Sequence, residues 1–537
     1  MHILLINPPW MTKDGNIWHG VKSTSAPLGL LYVAAYAEAR GRSVHVMDVN
    51  AERLQLEDIE RFVHKHQPPW VGFTAVTTQI TNTLRVAAIV KRVSPESKTV
   101  VGGVHATALP EDVLKDPNVD YVIRGEGEQS FFALVDGRPL DTIGGLSFRA
   151  APSRSRFCND SAASSRSRFC NDSRPPPFAK SARMVTYACQ GQRVEHTPPI
   201  IHNPLTEPIK NLDSLPIPAY HLIDFDLYKP AIGAYRRLPA INMTMTRGCP
   251  GKCIFCSSAQ TPLRSRSAEH VVDEIQMLQA RYGIREVGFY DDTFTIFKQN
   301  VVRMCELIVE RGMDLTWCCF ARADCVSPTL LKMMKNAGCH QVLFGIESAD
   351  PEILRNIRKP INIEQTRRAV RWVKEAGIEV RAAFMFGNPG ETVESMRRTI
   401  DFAKALDPDI AVFNITTPYP GTQLFDWAKK HGYLRTLDWN EYDLANSVME
   451  LPTVSAADIN RMYKVAYREF FFRPGYLVRR FLRMRSLEDV RMNIRALRSV
   501  LFVRTTAPCP RKYERTEGRS VGRLEPVPTQ SPVEVCT

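Results

Sequence analysis

Three cysteines, Cys249, Cys253 and Cys256, stand at C-x3-C-x2-C spacing in and just beyond the loop Arg247-Gly248-Cys249-Pro250-Gly251-Lys252. The run Ile241–Thr246 before them reads as a strand, so the thiols emerge at a strand's carboxyl end. Zinc is one metal such a loop could hold, but structural zinc takes four ligands, commonly in Cys-x2-Cys pairs. Here one spacing is three, and His270 lies fourteen residues beyond Cys256. Three thiolates suit a 4Fe–4S cube better, because three protein ligands leave one iron open to bind and reduce a small molecule. Glycine and proline let the loop turn tightly enough for three sulfurs to converge.

The elements that must carry this loop form a βα series starting near Leu238. Strand-like runs at Ile241–Thr246, Glu286–Tyr290, Leu315–Phe320, Gln341–Ile346, Val380–Phe386 and Ile410–Ile415 alternate with helical patterns. Six such units point to a partial (β/α)6 barrel with its site at the carboxyl ends of the strands. That rim collects Asp291 and Asp292, Arg322 and Asp324, Glu347 and Ser348, and the loop Gly387-Asn388-Pro389-Gly390-Glu391. Glycines and prolines there also make turns, and carboxylates also cap helices or pair with arginines. Their common position on the cysteine rim favours ligand contact.

Residues 1–140 carry an earlier βα series, with strand-like runs at Ile3–Ile6, Val44–Met47, Val71–Phe73, Thr99–Val101 and Tyr121–Ile123. Five strands with helices between them predict a Rossmann-like, doubly wound parallel sheet. Ligands bind beyond the carboxyl ends of such strands. The loops there hold Pro8 and Pro9, Thr74 and Thr77, Gly102 and Gly103, and Gly125 and Glu126. The run Gly125-Glu126-Gly127 is not a dinucleotide fingerprint, since it lacks the third glycine and its acids would repel a pyrophosphate.

The cysteine spacing, with aromatic Phe255 just before the last cysteine, resembles the radical S-adenosylmethionine (SAM) superfamily over most of residues 238–435. Membership implies that the open iron chelates SAM, and that electron transfer cleaves the sulfonium to a 5′-deoxyadenosyl radical. It also implies cofactor contacts from Phe255, Asp291, Asp292, Arg322, Glu347, Ser348, Gly387 and Asn388. The N-terminal loops resemble the cobalamin-binding domain that precedes many such barrels, which implies cobalamin near Pro8, Pro9, Thr74, Thr77, Gly102, Gly103, Gly125 and Glu126. The Asp-x-His-x-x-Gly motif whose histidine ligates cobalt in many cobalamin proteins does not occur, and His105 lies in a different loop. The combined resemblance implies a cobalamin-dependent C-methyltransferase acting on an unactivated carbon of a small-molecule or lipid substrate, served by a flavodoxin or ferredoxin. A radical cyclase or rearrangement enzyme, a non-catalytic cobalamin carrier and an RNA-modifying enzyme are the alternatives.

Bulk properties set the frame. A chain of 537 residues exceeds one core. We expect a cobalamin-binding domain at 1–140, a linker at 141–235, the barrel at 236–440, a helical region at 441–504 and a disordered tail at 505–537. The linker holds SRSRFCNDS twice, at Ser153–Ser161 and Ser165–Ser173. Two short copies read as a duplicated exposed loop, and Cys158 and Cys170 within them as a poor metal site. Thirteen cysteines, two of them adjacent at Cys318 and Cys319, suit buried free thiols in a reducing, cytoplasmic setting. The net charge of +13 concentrates beyond Ser455, where 17 Lys/Arg face 8 Asp/Glu. This basic segment reads first as a helical cap with core aromatics. Peripheral membrane contact comes second, and nucleic acid is disfavoured.

Overall fold

The computed structural model describes residues 2–10, 23–150, 198–231 and 233–482, with the single residue 494. The duplicated SRSRFCNDS segment, Cys158, Cys170, most of the basic segment and the tail from 505 lie outside the described residues.

Strands β1 (Ile3–Asn7), β2 (Val44–Asp48), β3 (Trp70–Thr74), β4 (Lys98–Gly102) and β5 (Tyr121–Ile123) pair in parallel in the order β2-β1-β3-β4-β5. This is a doubly wound order, and it places a crevice beside β1 and β3 where the chain reverses direction across the sheet. Two further strands, β6 (Leu146–Arg149) and β7 (Ile200–His202), add antiparallel at the β5 edge. The expected boundary at residue 140 therefore falls inside the sheet, and the segment to 235 is more than a linker. Its side chains also tie to both neighbours: the Tyr228 hydroxyl donates to Asp48 at 3.2 Å, and the Tyr220 hydroxyl to Glu274 at 2.7 Å.

The barrel strands are β8 (Ala240–Met243), β11 (Glu286–Phe289), β12 (Thr316–Ala321), β13 (Cys339–Glu347), β14 (Glu379–Phe386) and β15 (Ile410–Ile415). All pair in parallel and in chain order, with β8 and β15 as free edges. Between β8 and β11 a two-residue pair, β9 (Thr246–Arg247) and β10 (Arg264–Ser265), brackets the cysteine loop. The helices between strands start where side chains cap free N–H groups. Ser267 accepts from the His270 amide, and Asn362 and Thr392 form capping boxes.

Beyond the barrel, the helix Ala456–Phe471 buries Ile459, Met462, Tyr463, Tyr467 and Phe470. The Tyr467 hydroxyl donates to the Phe413 carbonyl at 3.0 Å and accepts from its amide at 3.2 Å, which satisfies part of the free β15 edge. These aromatics are core, and the helix covers the outer side of β14 and β15.

Candidate functional site

The cysteine loop is fixed by its own backbone. Gly248 takes φ +89°, and a methyl group there would lie 2.1 Å from the Pro262 carbonyl oxygen, so only glycine fits. The Thr261 hydroxyl accepts from the Cys249 amide at 3.0 Å, and the Gly251 amide donates to the Cys249 sulfur at 3.4 Å. Two longer ties hold the loop to the opposite rim. The Ile254 amide donates to the Ile357 carbonyl, and the Ile254 carbonyl accepts from Leu424. Phe255 packs against the main hydrophobic core.

Cys249, Cys253 and Cys256 are half-buried, whereas Cys305, Cys318, Cys319, Cys325 and Cys339 are buried. Burial pushes the Cys253 thiol up, and the Lys359 and Arg322 cations partly offset it; burial also raises Cys256. The three thiols lie within one another's fields. A cube gives each thiolate its own iron, so three cysteines complete its protein ligands, whereas structural zinc takes four. A methyl group on Gly251 would sit 3.2 Å from the Cys249 sulfur and 3.5 Å from the Arg322 guanidinium, so the absent side chain keeps the mouth of the loop open. The donor set fits an iron–sulfur cube with one open corner.

Several rim residues come together as the sequence indicated. Arg322 grips Asp324 through two bonds of 3.0 and 2.7 Å, which raise its affinity for its proton, and its charge reaches Cys249. Asp292 is exposed toward the rim; burial of its surroundings raises its carboxyl, a Ser258 hydrogen bond opposes this, and its field reaches Cys256. Glu347 ends β13 at φ +68° and pairs with Lys359 at 3.0 Å beside Cys253. Gly345 makes room for that pair, since a methyl group there would lie 2.5 Å from a Glu347 oxygen. Lys359 was not singled out from sequence, because its role depends on a contact across twelve residues.

Others are turned inward. Asp291 accepts from the Met245 amide at 2.9 Å, the Thr246 hydroxyl at 2.7 Å and the Thr246 amide, so it anchors the strand end that launches the cysteine loop. Burial pushes its carboxyl up to about 7. The Ser348 hydroxyl lies against Thr399 at 3.3 Å and accepts from the Asp350 amide. Asn388 is fully buried, bonded to Thr416 and to Glu391, whose carboxylate also accepts from the Gly387 amide. These side chains brace the rim, with the Asp291 Oδ2 and Glu391 Oε1 left unpartnered among the described residues.

The second site is a cavity of about 330 Å³ on one face of the N-terminal sheet. Thr74, Gly102, Gly103, Gly125 and Glu126 line it, together with Leu5, Gly72, Phe131 and, from the cysteine loop, Arg247. Its wall is largely apolar, with glycines at the strand ends where backbone can approach a ligand closely. A flat macrocycle with a nucleotide tail fits such a surface. Thr77 and His105 do not line it: the His105 ring bonds Thr77 at 3.2 Å, packs edge-on against Trp439, and is pushed down to about 4 by burial. Pro8 and Pro9 do not line the cavity either; their carbonyls are held by Asn50, Gln79 and Asn82. Glu126 would be raised by burial, but Arg264, the Ile209 amide and Arg247 hold it below the usual range.

Arg247 joins the two sites. Its guanidinium bonds Glu128 at 2.8 Å, reaches Glu126 at 3.5 Å, and lies 4.8 Å over the Tyr32 ring.

The superfamily model for radical SAM matches residues 243–403, and the B12 binding domain model matches residues 19–135. An uncharacterised methyltransferase of Pyrococcus horikoshii is 35% identical over 487 residues, covering 89% of this chain and 94% of the relative. The anaerobic magnesium-protoporphyrin IX monomethyl ester cyclase of Rubrivivax gelatinosus is 27% identical, covering 89% and 78%. Among solved structures, the cobalamin-dependent SAM radical enzyme OxsB, bound to aqua-cobalamin and SAM, shares the fold with TM-score 0.66 at 15% identity, covering 93% of this chain and 72% of that one. The cofactors that go with the two matched domains are a 4Fe–4S cluster and SAM at the barrel and cobalamin at the sheet. No helix among the described residues is long and apolar enough to cross a membrane. With a three-thiol loop on the barrel rim and a glycine-lined cavity against it, this chain belongs to the radical SAM enzymes that carry a B12-binding domain ahead of the barrel.

Proposed function

We propose that this enzyme is a cobalamin-dependent C-methyltransferase acting on an unactivated carbon of a small-molecule substrate. The observation that carries the reading is the shared wall: Arg247, two residues before the first cluster cysteine, also lines the cavity of the N-terminal sheet. When bound, the cluster supplies the electron that cleaves SAM, and cobalamin supplies the methyl group. The chain's own residues do the placing. Cys249, Cys253 and Cys256 fix the cube, and the Arg322–Asp324 and Lys359–Glu347 ion pairs stand beside it. Gly102 and Gly103 admit a ligand against the sheet, and the Arg247–Glu128 pair keeps the two cofactor sites in register. An electron donor of flavodoxin or ferredoxin type and a cytoplasmic setting accompany this reading.

The test is product analysis after anaerobic reconstitution and reduction. A methyltransferase forms both 5′-deoxyadenosine and S-adenosylhomocysteine from SAM. A cyclase, the second reading favoured by the Rubrivivax relative, forms the first without the second. Deoxyadenosine alone in the presence of turnover would transfer the assignment to the cyclase class.

We also infer peripheral membrane contact through the exposed Val478, Phe481 and Leu482 on the helix Pro474–Leu482, the setting in which a lipid would be the substrate.

A further inference from the structure

The barrel's interior is not filled by its own side chains. Along β14, Val380, Ala382, Phe384 and Phe386 are buried, while the alternate residues Arg381, Ala383 and Met385 remain partly accessible. Alternation along a strand sends these to the opposite face, the lumen. Leu343 and Gly345 on β13, Phe320 on β12 and Asn414 on β15 are partly accessible in the same way. A closed eight-strand barrel packs this space with layers of side chains. Six open strands leave it hollow.

The hollow has a floor. The Gly233 carbonyl accepts from Gln341 at 2.7 Å, the Ala234 carbonyl accepts from the Cys318 thiol at 3.5 Å, and Glu286 accepts the Arg236 and Arg237 amides. The segment 233–237 thereby closes the amino-terminal end, and the lumen opens toward the cysteine rim.

Inside stands a cation without a counter-charge. The Arg381 Nε is buried and has no hydrogen-bond partner among the described residues. The groups in its field are the Tyr290 and Tyr467 phenols and the Cys318 thiol, none of them a carboxylate. Two other buried cations each have an acid beside them: Arg266 has Glu274, and Lys359 has Glu347. Higher on the same wall, level with Met385, the Asn414 Oδ1 is also buried and unpartnered. An uncompensated buried cation is costly, and guanidinium does not escape by losing its proton.

We propose that the lumen receives an oxyanion of the substrate, a carboxylate or a phosphate, on Arg381, with Asn414 accepting a hydrogen bond from the same molecule nearer the mouth. The substrate is then an acidic small molecule that enters acid end first. Asn414 stands four strand residues above Arg381, roughly 13 Å at the usual rise, so the reacting carbon lies well away from the acid group. The inference rests on reading the barrel mouth as the reaction site.

The test uses full-length, anaerobically reconstituted protein and thermal unfolding in sodium phosphate or sodium benzoate at constant ionic strength. The wild type should gain about 2 °C or more in at least one anion. Gain in benzoate alone assigns a carboxylate, and gain in phosphate alone a phosphate. Arg381→Met should unfold no lower than wild type without anion and show no gain with it, while Arg381→Lys keeps part of the gain. SAM, which has a carboxylate of its own, should stabilise wild type and Arg381→Met alike. Equal anion gains in both proteins, no gain in either, or a SAM effect confined to wild type would overturn the proposal. Deoxyadenosine formation by the wild type is measured alongside. Its absence would count against the enzymatic reading, and the anion data would still decide the anchor.

Discussion

A methyl group added at Gly248 would lie 2.1 Å from the Pro262 carbonyl oxygen on a backbone already at φ +89°. Gly248→Ala should therefore displace the cysteine loop, at a strain of about 1–3 kcal/mol or more. We expect a clear fall in iron bound per chain after reconstitution; unchanged iron loading would show that the loop tolerates the shift. Glu391 gives a pH signature. Burial first, against bonds from Asn388 and Gly387, pushes its carboxyl up to about 8, whereas an unfolded glutamate titrates near 4.3. Between those values the unfolded chain loses its proton and the folded chain keeps it, so stability falls as pH rises. Urea midpoints should decline more steeply from pH 5 to 8 in wild type than in Glu391→Gln; parallel profiles would exclude the protonated carboxyl. At this scale the sequence made residue types and loop positions legible, because chemistry-bearing residues cluster at strand ends. It did not reveal orientation. Asn388 and Ser348 spend their polar atoms on the scaffold, Asp291 spends one carboxylate oxygen there and keeps Oδ2 unpartnered, and the partnerships of Lys359 and the isolation of Arg381 arise from contacts between strands.

Among the elements, the six barrel strands and the five parallel strands of the first sheet were legible as apolar runs, since strands covered on both faces lose their polar alternation. Strands β6 and β7 were not. They are four and three residues long, and the partner of β6 returns only at Ile200, after an intervening segment of about fifty residues. Short antiparallel edges of this kind leave little periodicity to read. Helices after Leu451 were legible, and of the aromatics expected in the core Tyr467 and Phe470 are buried whereas Phe481 is exposed; the task of the helix Ala456–Phe471 at the β15 edge was not legible, because it depends on one hydroxyl. Tyr467→Phe removes that hydroxyl and leaves the Phe413 amide without its partner. The loss should be about 1–3 kcal/mol, read as a lowered denaturant midpoint with the aromatic core intact. An unchanged midpoint would mean that the edge finds another donor and acceptor.

Across the whole molecule the cysteine loop and the sheet cavity meet at Arg247, whose partner Glu128 is almost fully buried. Arg247→Met alone leaves that acid uncompensated, and breaking such a pair costs about 3–5 kcal/mol. Replacing both, with Glu128→Gln, should recover most of the loss in a double-mutant cycle; additive losses would show that the pair does not couple the sites. If one chain holds an iron–sulfur cluster and cobalamin at separate sites, ultraviolet–visible spectra and metal content of protein reconstituted with iron, sulfide and hydroxocobalamin, then desalted, will report both. Gly102→Leu is the informative partner variant, because a Cβ there meets nothing closer than 3.8 Å and the rest of the side chain can extend into the cavity. Wild type should retain both absorptions, Cys253→Ala cobalamin without the cluster, and Gly102→Leu the cluster without cobalamin. Wild type that keeps its cluster but loses cobalamin on desalting, or variants that lose both cofactors together, would show that the chain does not hold the two cofactors at separate sites.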